Sequence, residues 1–282
     1  MTYNPSTYWN DIFKDGVNAQ SVCYPEWPLS YNHFLHRQQL ETLEHILQQE
    51  NIDLKNKKII EIGPGAGFWT SVFQHYKVVS YTGIDISKPS IENLSAQFPN
   101  YNFIHADIGK ELFSNHHLPK ADIIFAAMVF LHITDNSKLK YAFKQLNELL
   151  LPGGKIIFLD AIVTKKVFGN AKSQTDGPEF NEQFHNKIRP IELYKSIAKN
   201  LSLSLNTIIP AFNTSQYCYD FNSYLGYVVW GKAFYWIHRK ILNQASEKTG
   251  LLYARIQTNL DNIITKIFKM GMSSKWIIMN KN

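Results

Sequence analysis

Three glycines at alternate positions, Gly63, Gly65 and Gly67, follow an apolar run that carries Glu61, within KKIIEIGPGAGFWTSVF. Glycine lets the backbone take positive φ and lets a ligand approach with no Cβ in the way. Two carboxylates, Asp85 and Asp107, close short apolar runs further on, the first of them twenty residues beyond Gly65. A dinucleotide site needs its third glycine three residues after the second; here it comes two after, and Phe68 fills the expected place. Glu61, just before the turn, would repel a pyrophosphate and suits a cation. Asp85 stands where a carboxylate accepts hydrogen bonds from ribose hydroxyls. Asp107 stands where an acid meets an adenine edge or caps the next helix. Gly67 also fits a role in helix–sheet packing. The set suits an adenosine with a positively charged, phosphate-free tail better than a dinucleotide.

The elements that must position these groups alternate along the chain. KIIEI (58–62), VVSYTGID (78–85), YNFIHAD (101–107), ADIIFAAM (121–128) and KIIFLDAIV (155–163) read as strands. FWTSVFQHY (68–76), SIENLSAQF (90–98) and LKYAFKQLNELL (139–150) read as the helices between them, the last stopped by LPGG. Such alternation predicts a parallel sheet covered by helices on both faces. FLHRQQLETLEHILQQENI (34–52) and RPIELYKSIAKNL (189–201) read as flanking helices, and LSLSLNTII (201–209) and SKWIIMNK (274–281) as two more strands. The stretch 210–272 is long for a connection and reads as a helical insertion.

IIEIGPGAG, YTGIDIS, FIHADI, ADIIFAAMVFLHITD and LLPGGKIIFLD occur in the order and spacing of class I S-adenosylmethionine-dependent methyltransferases, and residues 57–163 resemble that family. The resemblance implies an α/β, Rossmann-like sheet of seven mostly parallel strands, the last antiparallel, with S-adenosyl-L-methionine as cofactor. It implies a core of 57–209 and 273–282, an N-terminal helical cover of 1–56, and an insertion of 210–272. Gly63 and Gly65 would line the methionine and ribose, with Asp85 and Ile86 at the ribose. Asp107 and Ile108 would lie at the adenine, and Ala127 and Met128 beside the methionine. Tyr8 and Trp9, in STYWNDIF, resemble the aromatic pair that folds over the cofactor in many small-molecule members; core packing explains them equally.

Methyl transfer is an in-line displacement, so alignment of the acceptor can supply about 7–11 kcal/mol. A hydroxyl or amine acceptor also uses a base, and His132, in VFLHITD after the fourth strand, is the leading one. Asp160 and His185 are further candidates. Within the insertion, YCYDFNSYLGYVVWGKAFYWIHRKIL is dense in aromatic residues, Tyr217 and Tyr219 among them. Tyr224, Tyr227, Phe234 and His238 share a helical face, so the insertion is expected to be a lid that supplies the acceptor pocket, a packed helical pair or a dimer contact. Lys232, Arg239 and Lys240 would meet an anionic group of the acceptor.

The 282 residues hold 45% hydrophobic and 18% charged positions, an ordinary globular balance. Cys23 and Cys218 fit neither a disulfide framework nor a metal site, and no secretory leader or membrane-spanning run is evident, so a cytoplasmic location is expected. Residues 1–150 carry 12 Lys and Arg against 15 Asp and Glu; residues 151–282 carry 17 against 8. The basic half has no run of five Lys or Arg, and the position after the fourth strand reads AAMVF. It therefore lacks the proline–proline–aromatic motif of many nucleic-acid base methylases. A small or medium-sized organic acceptor, anionic or aromatic, is expected, with no nucleic acid partner, no metal, and a monomer or homodimer; O-methylation is favoured, with C- or N-methylation open. The alternatives are a nucleic acid or protein methyltransferase that docks through the basic half, and a non-catalytic methyltransferase-like binding module.

Overall fold

In the computed structural model, β1 (Lys58–Ile62), β2 (Ser80–Asp85), β3 (Asn102–His105), β4 (Ala121–Ala127) and β5 (Leu150–Val163) lie parallel. The structure describes residues 3–22, 24–110, 118–211, 220–268 and 274–282, with backbone alone at 261–262 and 264–268. Cys23, Tyr217, Cys218 and Tyr219 lie outside the described residues. The sheet order is β3-β2-β1-β4-β5-β8-β7, where β7 is Leu203–Pro210 and β8 is Ser274–Lys281. β8 runs antiparallel to both of its neighbours, as expected of the last strand. A two-residue strand, β6 (Arg189–Pro190), pairs with the end of β5 and makes the eighth.

Strand β5 begins five residues before the expected 155, because Leu150 pairs with Ala121 ahead of a register shift. The LPGG turn thus falls inside the strand. Side chains alternate across the sheet. Ile60, Ile62, Ile124 and Phe158 pack beneath α5 (Asn136–Leu149) and α6 (Ile191–Asn200). Ile59, Phe125 and Ile157 pack beneath α2 (Leu29–Gln49) and α3 (Phe68–His75). The strand order reverses between β1 and β4, and the glycine turn sits there at the carboxyl edge, where open sheets of this kind bind ligands.

Gly67 opens α3 at φ 85°, and a Cβ there would stand 2.6 Å from Leu94 of α4 (Lys88–Gln97). This glycine therefore serves helix–helix packing. The N-terminal α1 (Pro5–Phe13) is capped by Asn4 and reaches α4 through Asn10, whose side-chain oxygen accepts from Lys88 N at 3.2 Å.

The insertion holds α7 (Tyr224–Gly226), a π-helical stretch over Tyr227–Phe234, α8 (Tyr235–Leu242) and α9 (Glu247–Phe268). It packs on α2 and the chain leading into it. Trp27 Nε1 donates to Asn243 at 2.8 Å, Tyr31 donates to Gln257 at 3.1 Å, and Glu247 accepts from Leu29 N and Ser30 N. A buried ion pair ties it to the sheet: Asp220 meets Lys275 of β8 at 2.8 Å and also accepts from Thr164 N at 2.9 Å. Removing one partner of such a pair strands the other charge in the core. Lys275→Met is expected to lower unfolding stability by about 3–5 kcal/mol, read by urea denaturation, and Asp220→Asn in the same chain to recover part of the loss.

Candidate active site

A cavity of about 450 Å³ opens at the carboxyl edge of β1, β2 and β4. Gly63 (φ 65°) and Gly65 (φ 55°) form its floor. A Cβ on Gly63 would come within 2.6 Å of the Val129 side chain, so the turn tolerates only glycine there. Asp85 clamps this turn. Its carboxylate accepts from Gly65 N at 3.0 Å and from Ser87 N at 2.8 Å, while Ser90 Oγ donates to the Gly65 carbonyl at 2.6 Å. Burial raises the Asp85 pKa, and these backbone donors oppose the rise. The carboxylate keeps acceptor capacity toward the cavity it lines.

Ile86, Asp107, Ile108, Ala127 and Met128 line the same cavity. Asp107 accepts from Gly109 N at 2.9 Å and pairs with Lys110 at 3.5 Å. Met128 has φ 58°, a left-handed conformation costly for a side chain of its size. Its N–H donates to Leu159 O of β5 at 2.7 Å, which carries the β4–β5 pairing one residue past Ala127.

The cavity's outer wall is aromatic. Tyr8 stacks on His185 at 4.9 Å, and Trp9 meets the His132 ring edge-on at 5.0 Å. His132 Nδ1 lies 2.8 Å from the His185 carbonyl. A carbonyl only accepts, so Nδ1 carries the proton and Nε2 keeps the lone pair. His132 faces the cavity and is enclosed by protein elsewhere; burial, foremost, brings its pKa down to about 4, so the ring is neutral at physiological pH. Fully buried Arg189 donates to the Phe130 carbonyl at 3.0 Å and to Asn136 at 2.9 Å, bracing the loop that carries His132.

Several expected site residues stand elsewhere. Glu61 is buried on the opposite sheet face from Ile60 and Ile62 and does not line the cavity. Tyr81 donates to it, and Thr70 donates at 3.0 Å. Burial pushes its pKa up to about 8 despite these bonds. Gly67 also lies off the cavity, for the packing reason given above. Asp160 is fully buried in β5, where it accepts from Tyr194 Oη at 2.6 Å and from Ala161 N at 2.8 Å, with a pKa raised by burial to about 6. It does not reach the cavity and acts as an internal hydrogen-bond acceptor. Tyr224, Tyr227 and Phe234 likewise do not form the pocket. Tyr227 and Phe234 pack around Phe168, Phe221 and Trp230, Tyr224 stands largely exposed at the edge of that cluster, and Lys232, Arg239 and Lys240 are exposed on the insertion, off the cavity.

Residues that the sequence did not single out complete the wall. Tyr3, Val22, His36 and Asn186 line the cavity. Tyr3 Oη and Asn186 Oδ1 are buried without a hydrogen-bond partner. The Tyr3 phenol is pushed up by burial and by Tyr8, and the nearby Trp9 indole tempers that rise without bonding it in good geometry. No motif surrounds Tyr3 or Asn186; both lie in chain whose path follows only from the fold.

Residues 59–154 match the family model described as a methyltransferase domain. Among solved structures, the chain is similar to a candidate sarcosine dimethylglycine methyltransferase from Galdieria sulphuraria, at 16% identity, 86% of this chain, 84% of that one and TM-score 0.52. It is also similar to S-adenosylmethionine-dependent methyltransferases from Mesorhizobium loti (10% identity, 83% and 95%, TM-score 0.50) and Listeria monocytogenes (a candidate one; 12%, 84% and 96%, TM-score 0.50). These likenesses concern the fold. No curated protein sequence matches the chain. Residues 59–154 thus carry a methyltransferase domain, and the strand order is that of a Rossmann-like sheet with an antiparallel β8, which supports a class I S-adenosylmethionine-dependent methyltransferase. The methyltransferase domain match supports S-adenosylmethionine as the cofactor, and the glycine floor with Asp85 at its edge fits an adenosine bearing a cationic tail.

Two outcomes are expected. Asp85→Ala removes the clamp on the glycine turn and a carboxylate that lines the cavity, each charge-assisted bond contributing roughly 1.5–3 kcal/mol; isothermal titration should show S-adenosylmethionine binding weakened at least about tenfold in a folded protein. Glu61 has a folded pKa of about 8 against an ordinary 4.5. A raised carboxyl pKa stabilises the fold fully below the unfolded value, and that stability is lost as pH rises through the folded value. Glu61→Gln does not titrate, so its melting temperature should gain on the wild type from about pH 5 to about pH 8 and hold level above.

Proposed function

We propose that the enzyme methylates a hydroxyl of a small or medium-sized organic acceptor, with His132 as the general base. The observation that carries this reading is the His132 tautomer: Nδ1–H is tied to the His185 carbonyl, which leaves the Nε2 lone pair on a ring that lines the cavity. When bound, S-adenosylmethionine supplies an electrophilic methyl group on its sulfonium. Gly63, Gly65, Asp85, Ile86, Asp107, Ile108, Ala127 and Met128 are the residues to hold it. Beyond them, Tyr3, Tyr8, Trp9 and His185 form a largely apolar compartment that excludes water from the reacting atoms. His132 takes the hydroxyl proton as the acceptor oxygen attacks, and its low pKa keeps it in the base form across the physiological range.

Tyr3 Oη and Asn186 Oδ1 orient the acceptor: buried polar atoms without partners favour a ligand that supplies them. A donor group on the acceptor would satisfy Asn186 Oδ1. The aromatic walls also favour a flat or cationic acceptor, and an amine methylated at nitrogen is the second reading they support. The enclosed shape of the compartment suits a small molecule rather than a nucleic acid.

His132→Ala is expected to lower turnover by at least about a hundredfold, with S-adenosylmethionine affinity kept, measured by transfer of labelled methyl to an acceptor fractionated from cell extract. A loss below about fivefold in a folded protein assigns His132 to loop structure instead. Identification of the methylated atom by mass spectrometry separates oxygen from nitrogen as the acceptor.

A further inference from the structure

Ten of the thirteen large apolar residues exposed among the described residues fall between 224 and 263, within the insertion. Tyr224, Leu225, Val229, Trp236, Ile237 and Ile241 lie outward on the run from α7 through α8, and Trp236 is 64% and Leu225 71% exposed. The opposite side of that run is held by the protein: Tyr227, Trp230, His238 and Leu242 are buried. On α9, Leu252, Ile256, Leu260 and Ile263 recur at helical spacing and point away from buried Ala254 and Gln257. A solvated monomer rarely concentrates apolar side chains in this way.

The charges decide what covers this face. From Phe221 to Ser246 there is no Asp or Glu, while Lys232, Arg239 and Lys240 are present and exposed. Lys240 lies over the Trp236 ring at 5.3 Å, and Arg239 reaches Glu26 at 3.6 Å in a pair open to solvent. A second copy on a two-fold axis would add three more cations to the same interface, with no Asp or Glu between 221 and 246 to oppose them. A surface of anionic headgroups would neutralise them while apolar and aromatic side chains enter the acyl boundary. Among the described residues no helix is long and apolar enough to cross a membrane, so contact of this kind is peripheral.

We propose that the 224–242 face is a docking surface for an anionic lipid bilayer, with Leu225, Val229, Trp236 and Ile237 inserted and Lys232 and Lys240 on the headgroups.

The test is vesicle co-sedimentation of the whole chain with phosphatidylcholine alone and with roughly a third phosphatidylglycerol. Binding to the anionic vesicles should exceed binding to neutral ones by about tenfold or more and fall as salt is raised. The double variant Leu225→Ser, Trp236→Ser should lose that binding by about tenfold while its melting temperature and S-adenosylmethionine affinity stay at wild-type values, since both side chains are exposed. Lys232→Glu with Lys240→Glu should abolish the preference for anionic vesicles. Absence of binding to the anionic vesicles overturns the proposal, as does binding that survives the serine double variant. A dimer, seen by light scattering, that dissociates in the serine variant while wild-type protein ignores vesicles also overturns it and assigns the face to a second copy.

Discussion

The carboxylate of Asp85 joins the two loops on which the site is built. It closes β2, and it accepts hydrogen bonds from the glycine turn after β1 and from the first turn of α4. Both loops come from neighbouring parallel strands, whose register puts Ile62 opposite Ile84 and continues with Gly63 N donating to Ile84 O at 2.8 Å. Beyond the strand ends, one carboxylate shared between two backbone N–H groups ties the loops together through charge-assisted bonds in a buried setting. Gly63 and Val129 then interlock above the same edge, and the left-handed Met128 brings the end of β4 into line. Floor and rim of the cavity thus rest on a few backbone contacts made possible by glycine and one acid.

The sheet was legible in the sequence because its signals are local. Alternating apolar runs name the strands, the glycine turn marks the carboxyl edge of the sheet, and LPGG marks the end of α5. The bounds of β1 and β8 coincide with the expected ones, and the start of β5 does not, since pairing with Ala121 continues through the turn. At the site, residues carried by strand ends were legible: Asp85, Asp107, Ala127 and Met128 all reach the cavity. Glu61 was misleading because a strand gives a side chain its face by parity, and position 61 shares a face with Ile59, under α3, not with the ligand edge.

The outer wall of the cavity was less legible, for a different reason. Tyr8, Trp9 and His185 stood out in the sequence, but Tyr3 and Asn186 beside them did not, since they lie in segments far apart in sequence with no periodicity between them. The aromatic content of the insertion drew attention to Tyr224, Tyr227 and Phe234, yet composition does not say toward which neighbour a helix turns. Phe168 and Phe221 take that face, and the Asp220–Lys275 pair anchors it at β8. Burial of aromatic residues there builds a platform rather than a pocket.

The wall formed by α1 has a thermodynamic consequence. A nine-residue helix has little stability of its own, and this one is tethered to α4 by the Asn10 contact and to the rest through Tyr8 and Trp9 ring packing. Apparent ligand affinity is scaled by the fraction of molecules in which the binding wall is already formed. Tyr8 and Trp9 of this wall line the cavity. Under the proposed function cofactor and acceptor both meet it, and whichever arrives first would lower the ordering cost for the other, coupling their affinities through α1.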